Sequence, residues 1–509
     1  MRVEGSSRCL RSLKPLRLGS IALCVATPAA MTLLLLFLAG RSILDFVPPA
    51  STNDETFYWH AIYTFSEVGF DGGFYTNGEH PAEAGFSRLG VYGPFFPALY
   101  GSLGRVLGWH LYSAPIFHLL FITAGLCLFV RLTGLESRSL IVATALLATF
   151  WPMLLYIATN MQEGLHYAIA IALAAVFYRL VAEPHKATPT FMALSLALIL
   201  FAALLRITWS VLLVPFALLG LRSRSTRGLI LALAGALAGM IFAWLLMSYL
   251  ASDAEGILQL PDLRSGGIGT VLDFVGSHAG GNLRALFGFE GLPQEVFLRC
   301  QLLLLAIGLG IYWALRPTRS LAPHVLFHFF NLVVILILTI LFYLVGNLGD
   351  YRLLSIHLLA SLLFAVGFKG HGYRVAVWLL ILSNALFSSR ALVAYENHAR
   401  AFSQQRAEKI AVARKQVEGV VVYDPDADPW CNSLAFWFER PYWYPPELAA
   451  LPAGIGINLM RYGESPRKSR YLLMNQRRHR QMQGRLPMKF LKSTSMGELY
   501  LNLQSPCEP

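Results

Sequence analysis

Charged residues set beside long apolar runs are the parts of this 509-residue sequence that could do chemistry. NDETFYWHAIYTF carries Asp54 and Glu55, followed by Phe57, Tyr58, Trp59 and Tyr63. IATNMQEGLHYAI carries Glu163, FAALLRITWSV carries Arg206, and GNLGDYRLLSIHLL carries Asp350 and Arg352. A carboxylate within reach of a hydroxyl can take its proton as the oxygen attacks. An arginine presents a planar fork of donors that suits phosphate oxygens. Each residue also has an ordinary reading. Asp54 and Glu55 fit a wet loop with interfacial aromatics, and Glu163 fits a helix cap. Arg206 and Arg352 fit snorkelling to an interface, or an Asp350–Arg352 pair.

His60, His80 and His278 are further candidates, yet no HxxxH or HExxH spacing links these three, so they do not by themselves support a metal site. The sequence holds no Walker loop, no dinucleotide fingerprint in a strand–turn–helix unit and no CxxC pair.

The elements that must position these residues follow from composition. The chain is 56% hydrophobic and 14% charged, against roughly 25% charged in soluble domains. A basic amino terminus, 1–17, precedes an apolar run over 18–40, long enough to span a bilayer and longer than a signal-peptide core. Later apolar runs lie near 111–132, 139–159, 164–182, 189–206, 208–221, 228–250, 296–315, 322–346, 353–368 and 373–389. The fifth and sixth spans meet around Arg206. The expected fold is an all-α polytopic membrane protein of about eleven helices.

Charge gives the orientation. Arg131/Arg138, Arg179/Lys186, Arg222/Arg224/Arg227, Arg316/Arg319 and Lys369/Arg374 all fall on one side, which the positive-inside rule makes cytoplasmic. Loops holding Asp54, Glu163, Asp253, Asp262 and Asp350 alternate with them. The net charge of +12 is therefore largely orientation, and a nucleic-acid partner is disfavoured. Both acidic loci and both arginines converge on the outer side, a stronger signal than any one of them.

Three pieces are expected outside the transmembrane part of 18–390, or as outer loops within it: the first loop at 41–110, a later loop at 251–295, and a tail at 391–509. The stretch EHPAEAGFSRLGVYGPFFPALYGSLGRVLG is broken by Pro and Gly and reads as an in-plane or re-entrant helix. The tail opens on a helix-compatible run to about residue 419. It continues through VVVYDPDADPW, RYLLMN and ELYLNL, which are strand candidates of a small α+β domain. Cys24, Cys127 and Cys300 sit in apolar segments and Cys9 in the basic start, where packing or no role is expected. Cys431 and Cys507 can pair if the tail is extracytoplasmic; sequence does not fix their separation.

Together these features resemble the GT-C superfamily of membrane glycosyltransferases, which includes aminoarabinose transferases, protein O-mannosyltransferases and oligosaccharyltransferases. The resemblance covers roughly residues 18–370. It rests on NDETFYWHA after the first span, VYGPFFPALYGSLGRVLG closing that loop, NMQEGLHY between the third and fourth spans, and LLRITWS with DYRLLSIHLL. It implies an enzyme that takes a sugar from a polyprenyl phosphate or pyrophosphate and passes it to a lipid, glycan or protein acceptor outside the membrane; the short loops and basic composition favour a bacterial inner membrane. Asp54 would match the loop aspartate, and Glu163 the second acidic residue, where relatives often show aspartate. Arg206 and Arg352 would face the donor phosphate, with Glu55, Tyr58, His80 and Asp350 in support. A divalent ion, Mg or Mn, held by Asp54 and Glu163 fits the resemblance. Fixed cations would stabilise charge on the leaving oxygen, and one in-line displacement would invert the anomeric carbon.

Two other classes compete. A transporter, flippase or glycan polymerase would use ionisable residues at mid-membrane depth and internal repeats. Here the charges sit at helix ends, and no repeat is apparent. A non-catalytic scaffold leaves the acidic loop and the arginines unexplained. Sugar, acceptor, carrier lipid and oligomeric state are not legible.

Overall fold

The structure is a computed structural model. It describes residues 7–48, 54–73, 75–77, 79, 93–220, 226–250, 260–287, 296–297, 299–303, 323–342, 351–367, 375, 377–386, 404–437, 445–460 and 465–507.

Apolar runs become helices because a chain removed from water must satisfy its backbone within each segment. Five helices among the described residues are long and apolar enough to cross a membrane. They are the Arg17–Leu38 part of α1 (Ser7–Leu38), α4 (Ser113–Thr133), α7 (Glu163–Ala182), α10 (Thr226–Leu250) over Thr226–Met247, and Pro323–Leu341. The last belongs to α12, a continuous rod of Pro323–His328, a π-helical stretch Phe329–Val334, and Ile335–Phe342. α10 exposes Ile230, Leu231 and Phe242, as an all-apolar helix facing lipid would.

The third expected span is bent rather than straight. α5 (Ser137–Thr149) and α6 (Trp151–Ile157) meet at 62°. Phe150 has ψ 77, outside the helical range, and Pro152 can donate no helix hydrogen bond. The meeting of the fifth and sixth expected spans at Arg206 is also a break. α8 (Pro189–Leu205) stops at Arg206, whose φ −155 and ψ 114 are extended. The chain resumes as the 3-10 turn Ile207–Leu212 and α9 (Leu213–Gly220). α13 (Tyr351–Val366) and α14 (Val377–Leu386) are shorter apolar helices, and most of the span expected at 296–315 lies outside the described residues.

α7 is the hub. It is buried from Glu163 through Phe177, and α4, α6 and α13 all pack on it. Gly125 permits a close approach of α4, since a Cβ there would meet the Ala168 carbonyl oxygen at 3.0 Å.

The first long loop forms α2 (Asp54–Val68), β1 (Thr76–Asn77) and α3 (Phe95–Leu107). The expected surface helix is α3. It buries Phe96, Tyr100 and Gly104 toward α2 and exposes Val106 and Leu107. The later loop contains α11 (Leu260–Phe287), broken at Gly267 where φ is 73.

The carboxy-terminal part contains α15 (Gln404–Val417), β2 (Ser433–Trp437), β3 (Gly456–Met460), β4 (Tyr471–Met474), α16 (Gln476–Met482), β5 (Met488–Thr494) and β6 (Gly497–Asn502). The sheet order is β1-β3-β2-β4-β6-β5, with parallel pairing from β1 to β4 and antiparallel pairing among β4, β6 and β5. RYLLMN and ELYLNL supply β4 and β6 as expected. VVVY does not form a strand: 420–423 run from a turn into irregular backbone, where Val422 N donates to the Tyr471 hydroxyl at 3.3 Å rather than to a neighbouring strand. The sheet is also not built from the tail alone, because its first strand, β1, comes from the first loop.

Three groups of polar contacts fix that joint. Glu79, at φ 58, accepts from the backbone N–H groups of Arg467 (2.8 Å), Lys468 (3.1 Å) and Ser469 (2.8 Å). Thr64 Oγ1 accepts from Gly454 N, and Gly73 N donates to Gly454 O. His60 Nε2 donates to Leu451 O at 3.2 Å while Nδ1 meets the Tyr75 hydroxyl at 2.9 Å. Cys431 and Cys507 form a disulfide with Cα atoms 5.5 Å apart.

Candidate functional site

Three helix ends and one helix break bring the four singled-out residues to one end of the bundle. Asp54 and Glu55 open α2, Glu163 opens α7, Arg206 occupies the break after α8, and Arg352 lies in the first turn of α13. Carboxylates at helix N-termini and a cation at a helix C-terminus each complement the helix dipole. Arg352 is the exception: its charge sits at the positive end of α13.

The contacts run as one chain. Arg206 Nη2 donates to Glu163 Oε1 at 2.7 Å, and Arg206 Nη1 donates to the backbone oxygen of Arg352 at 3.4 Å. Arg352 Nη1 donates to Asp54 Oδ2 at 3.3 Å. The two ion pairs differ in depth. Side-chain exposure is 13% and 3% for Arg206 and Glu163, but 28% and 38% for Arg352 and Asp54. The inner pair is held in low dielectric, where Coulomb attraction is strong and separation costly. The outer pair is wet and easily exchanged.

Glu55 and Tyr58 are brought to the same place but do not face solvent. Glu55 Oε2 accepts from Asn160 N at 3.1 Å, and the Tyr58 hydroxyl accepts from Gln162 Nε2 at 3.3 Å. These bonds clamp α2, which Asp54 opens, onto the turn at 158–162. His80 and Asp350 lie outside the described residues. His60 is buried in the joint to the carboxy-terminal sheet, and His278 stacks on Phe274 of its own helix at 3.9 Å; neither joins the four.

Several polar groups around the site had not been singled out. Beneath Arg206, Trp209 Nε1 donates to His166 Nδ1 at 3.2 Å, and Thr208 Oγ1 meets His357 Nε2 at 3.1 Å. His357 Nδ1 in turn meets Asn331 Oδ1 at 2.9 Å. Ionisable residues inside apolar spans mark such networks, and His166 and His357 carried that signal in the sequence. Glu163 Oε2, the Asn160 side-chain amide and His118 Nε2 are buried with no hydrogen-bond partner, so packing here leaves polar groups unmatched at a cost.

A metal held by Asp54 and Glu163 does not fit this donor set. Each carboxylate already faces a guanidinium, and no three His, Cys, Asp or Glu side chains come together among the described residues.

Arg406 of α15 reaches toward this end from the carboxy-terminal part. Burial pushes its guanidinium below the usual arginine range, and the charges of Glu55 and Glu447 oppose that shift. Nothing in the tail's sequence marked it, because its environment is made by α15, the turn Pro446–Ala450 and α2 packing in series.

No protein-family model matches the chain, and no curated protein matches it. Several solved structures show a likeness, among them the following three. Two are of ArnT from Cupriavidus metallidurans, in the apo state and bound to undecaprenyl phosphate. Each has a TM-score of 0.48 and 12% identity, covering 96% of this chain and 99% of that chain. The third is the Archaeoglobus fulgidus oligosaccharyltransferase in complex with Zn and sulfate, with a TM-score of 0.49 and 15% identity, covering 86% of this chain and 62% of that chain.

Proposed function

We propose that this protein is a membrane glycosyltransferase of GT-C type that moves a sugar from a polyprenyl-phosphate or pyrophosphate donor to an acceptor hydroxyl, outside the cytoplasm. The observation that carries this reading is the chain Asp54–Arg352–Arg206–Glu163, two carboxylates and two guanidiniums joined at one end of a helix bundle. The Cys431–Cys507 disulfide supports the orientation, because such bonds persist in oxidising compartments.

Each residue has a distinct part in this reading. Glu163 holds Arg206 in a fixed, buried pose, so Arg206 is the permanent cation of the donor-phosphate site. Arg352 is the exchangeable one. A donor phosphate arriving at the N-terminal end of α13 meets the helix dipole and Arg352 together. When Arg352 turns to that phosphate it releases Asp54. The Asp54 carboxylate then takes the acceptor hydroxyl proton while the oxygen attacks the anomeric carbon. The carbon–oxygen bond to phosphate breaks, its electron pair leaves on the phosphate, and the two guanidiniums stabilise that charge. One displacement inverts the anomeric carbon.

Donor binding and transfer in Asp54→Asn test this assignment. In membranes supplied with polyprenyl-phosphate sugars, transfer should fall about 100-fold or more with donor binding kept. Undiminished transfer by a normally expressed variant would remove Asp54 from the chemistry. A flippase, the second class, would instead move donor lipid across the bilayer without forming a glycoside.

A further inference from the structure

The far end of the carboxy-terminal sheet carries charge that the rim chemistry does not use. From 465 to 507 the chain has six arginines and three lysines against one acid, Glu498. That acid is engaged internally. Glu498 accepts from the Tyr500 hydroxyl and lies 3.8 Å from His479 Nδ1. Three of the cations are likewise absorbed by packing: Arg478 sits over the Trp437 ring at 5.2 Å, Lys468 over Trp430 at 4.9 Å and Arg470 over Tyr471 at 5.6 Å.

Others point outward. Arg477 and Arg480, one turn apart on α16, are exposed, as are Arg485 in the following turn and Lys489 on β5. α16 is pinned to the sheet by His479 stacked on Tyr500 at 4.9 Å and by buried Met482. Its arginines therefore project from a fixed base. β5 is the outer strand of the order, five strand spacings from β1, or roughly 24 Å along the sheet.

We propose that the outer face of α16, the turn through Arg485 and the β5 edge form a binding surface for a polyanionic glycan. Lysines on an edge strand alone would be explained as protection against strand pairing. Arg477, Arg480 and Arg485 lie off that strand and have no such duty. A bilayer surface is a poorer fit. An interfacial helix inserts an apolar face, whereas the apolar Met482 of α16 is turned into the domain. Single-stranded nucleic acid needs a row of aromatic platforms, and here Phe490 is the exposed ring. Cations distributed over a helix, a turn and a strand instead match a chain with anions repeated along it, bound largely by counterion release.

The test uses the full chain in phosphatidylcholine nanodiscs, with alginate as the polyanionic probe and dextran as its neutral counterpart. Alginate should bind with an affinity that falls steeply with salt, and dextran should not bind. The triple variant R477S/R480S/R485S should lose about tenfold or more in alginate affinity, while Lys at all three positions should retain it. Retention of the Cys431–Cys507 bond and the melting transition establishes that the variants are folded. If the triple variant is not folded, the double variant R477Q/R480Q is read in the same way. Equal alginate binding by wild type and variant overturns the proposal. So does protection of the 477–485 segment from trypsin by phosphatidylglycerol nanodiscs but not by alginate, which would assign the surface to lipid. Binding here is measured without a sugar donor, so its outcome is separate from that of the transferase reading.

Discussion

Arg206 Nη2 stands 2.7 Å from Glu163 Oε1, and the two side chains come from a helix break and a helix start 43 residues apart. The pair is nearly sealed from water, so neither charge can be solvated if the other is lost. Its neighbour, Arg352–Asp54, is longer and wetter. That contrast separates a fixed cation from an exchangeable one.

Glu163→Ala should therefore destabilise strongly. Removing one partner of a buried pair strands the other charge, at roughly 3–5 kcal/mol. The check is thermal unfolding in detergent, where Asp54→Asn should shift the midpoint far less because its pair is half-exposed. Equal shifts for the two variants would contradict the depth difference.

His60 gives a pH prediction. Burial lowers its pKa from 6.5 to about 4. Its native-state pKa lies below the unfolded one, so the stability it confers is complete above about pH 6.5 and declines as pH falls toward 4. The full loss is roughly 3 kcal/mol. The place affected is the joint of α2 with Leu451, so hydrogen exchange in β1 and β3 should accelerate over that range. His60→Gln should flatten the dependence; an unchanged profile would exonerate His60.

Cys507→Ser opens a loop with a sequence separation of 76. On loop entropy the bond contributes about 4 kcal/mol. The expected readouts are a lower melting midpoint for the carboxy-terminal sheet and early cleavage of β5 and β6 by protease. Unchanged melting after reduction would mean that the sheet is held mainly by β1 and the Glu79 contacts.

Parts of this were legible in the residues. Asp54, Glu163, Arg206 and Arg352 were conspicuous because a charge beside an apolar run is expensive unless matched. RYLLMN and ELYLNL read as strand candidates. VVVY read the same way and failed, because a strand needs a neighbour as well as a propensity. The bend at Phe150 had its cause in Pro152, but hydropathy alone drew a straight span through it. The sheet's dependence on Thr76 and Asn77 had no signal, since two residues carry no periodicity.

By itself the sequence determined the apolar helices, the charges at their ends and the pair of tail cysteines, because burial cost and segment length act locally along the chain. Only the tertiary structure decided that Arg206 answers Glu163 and Arg352 answers Asp54, that Glu55 and Tyr58 clamp α2 in place, and that a loop strand completes the tail's sheet. Those choices are made between segments up to 390 residues apart. The free energy of an ion pair or a strand pair exists only once both partners have been brought together.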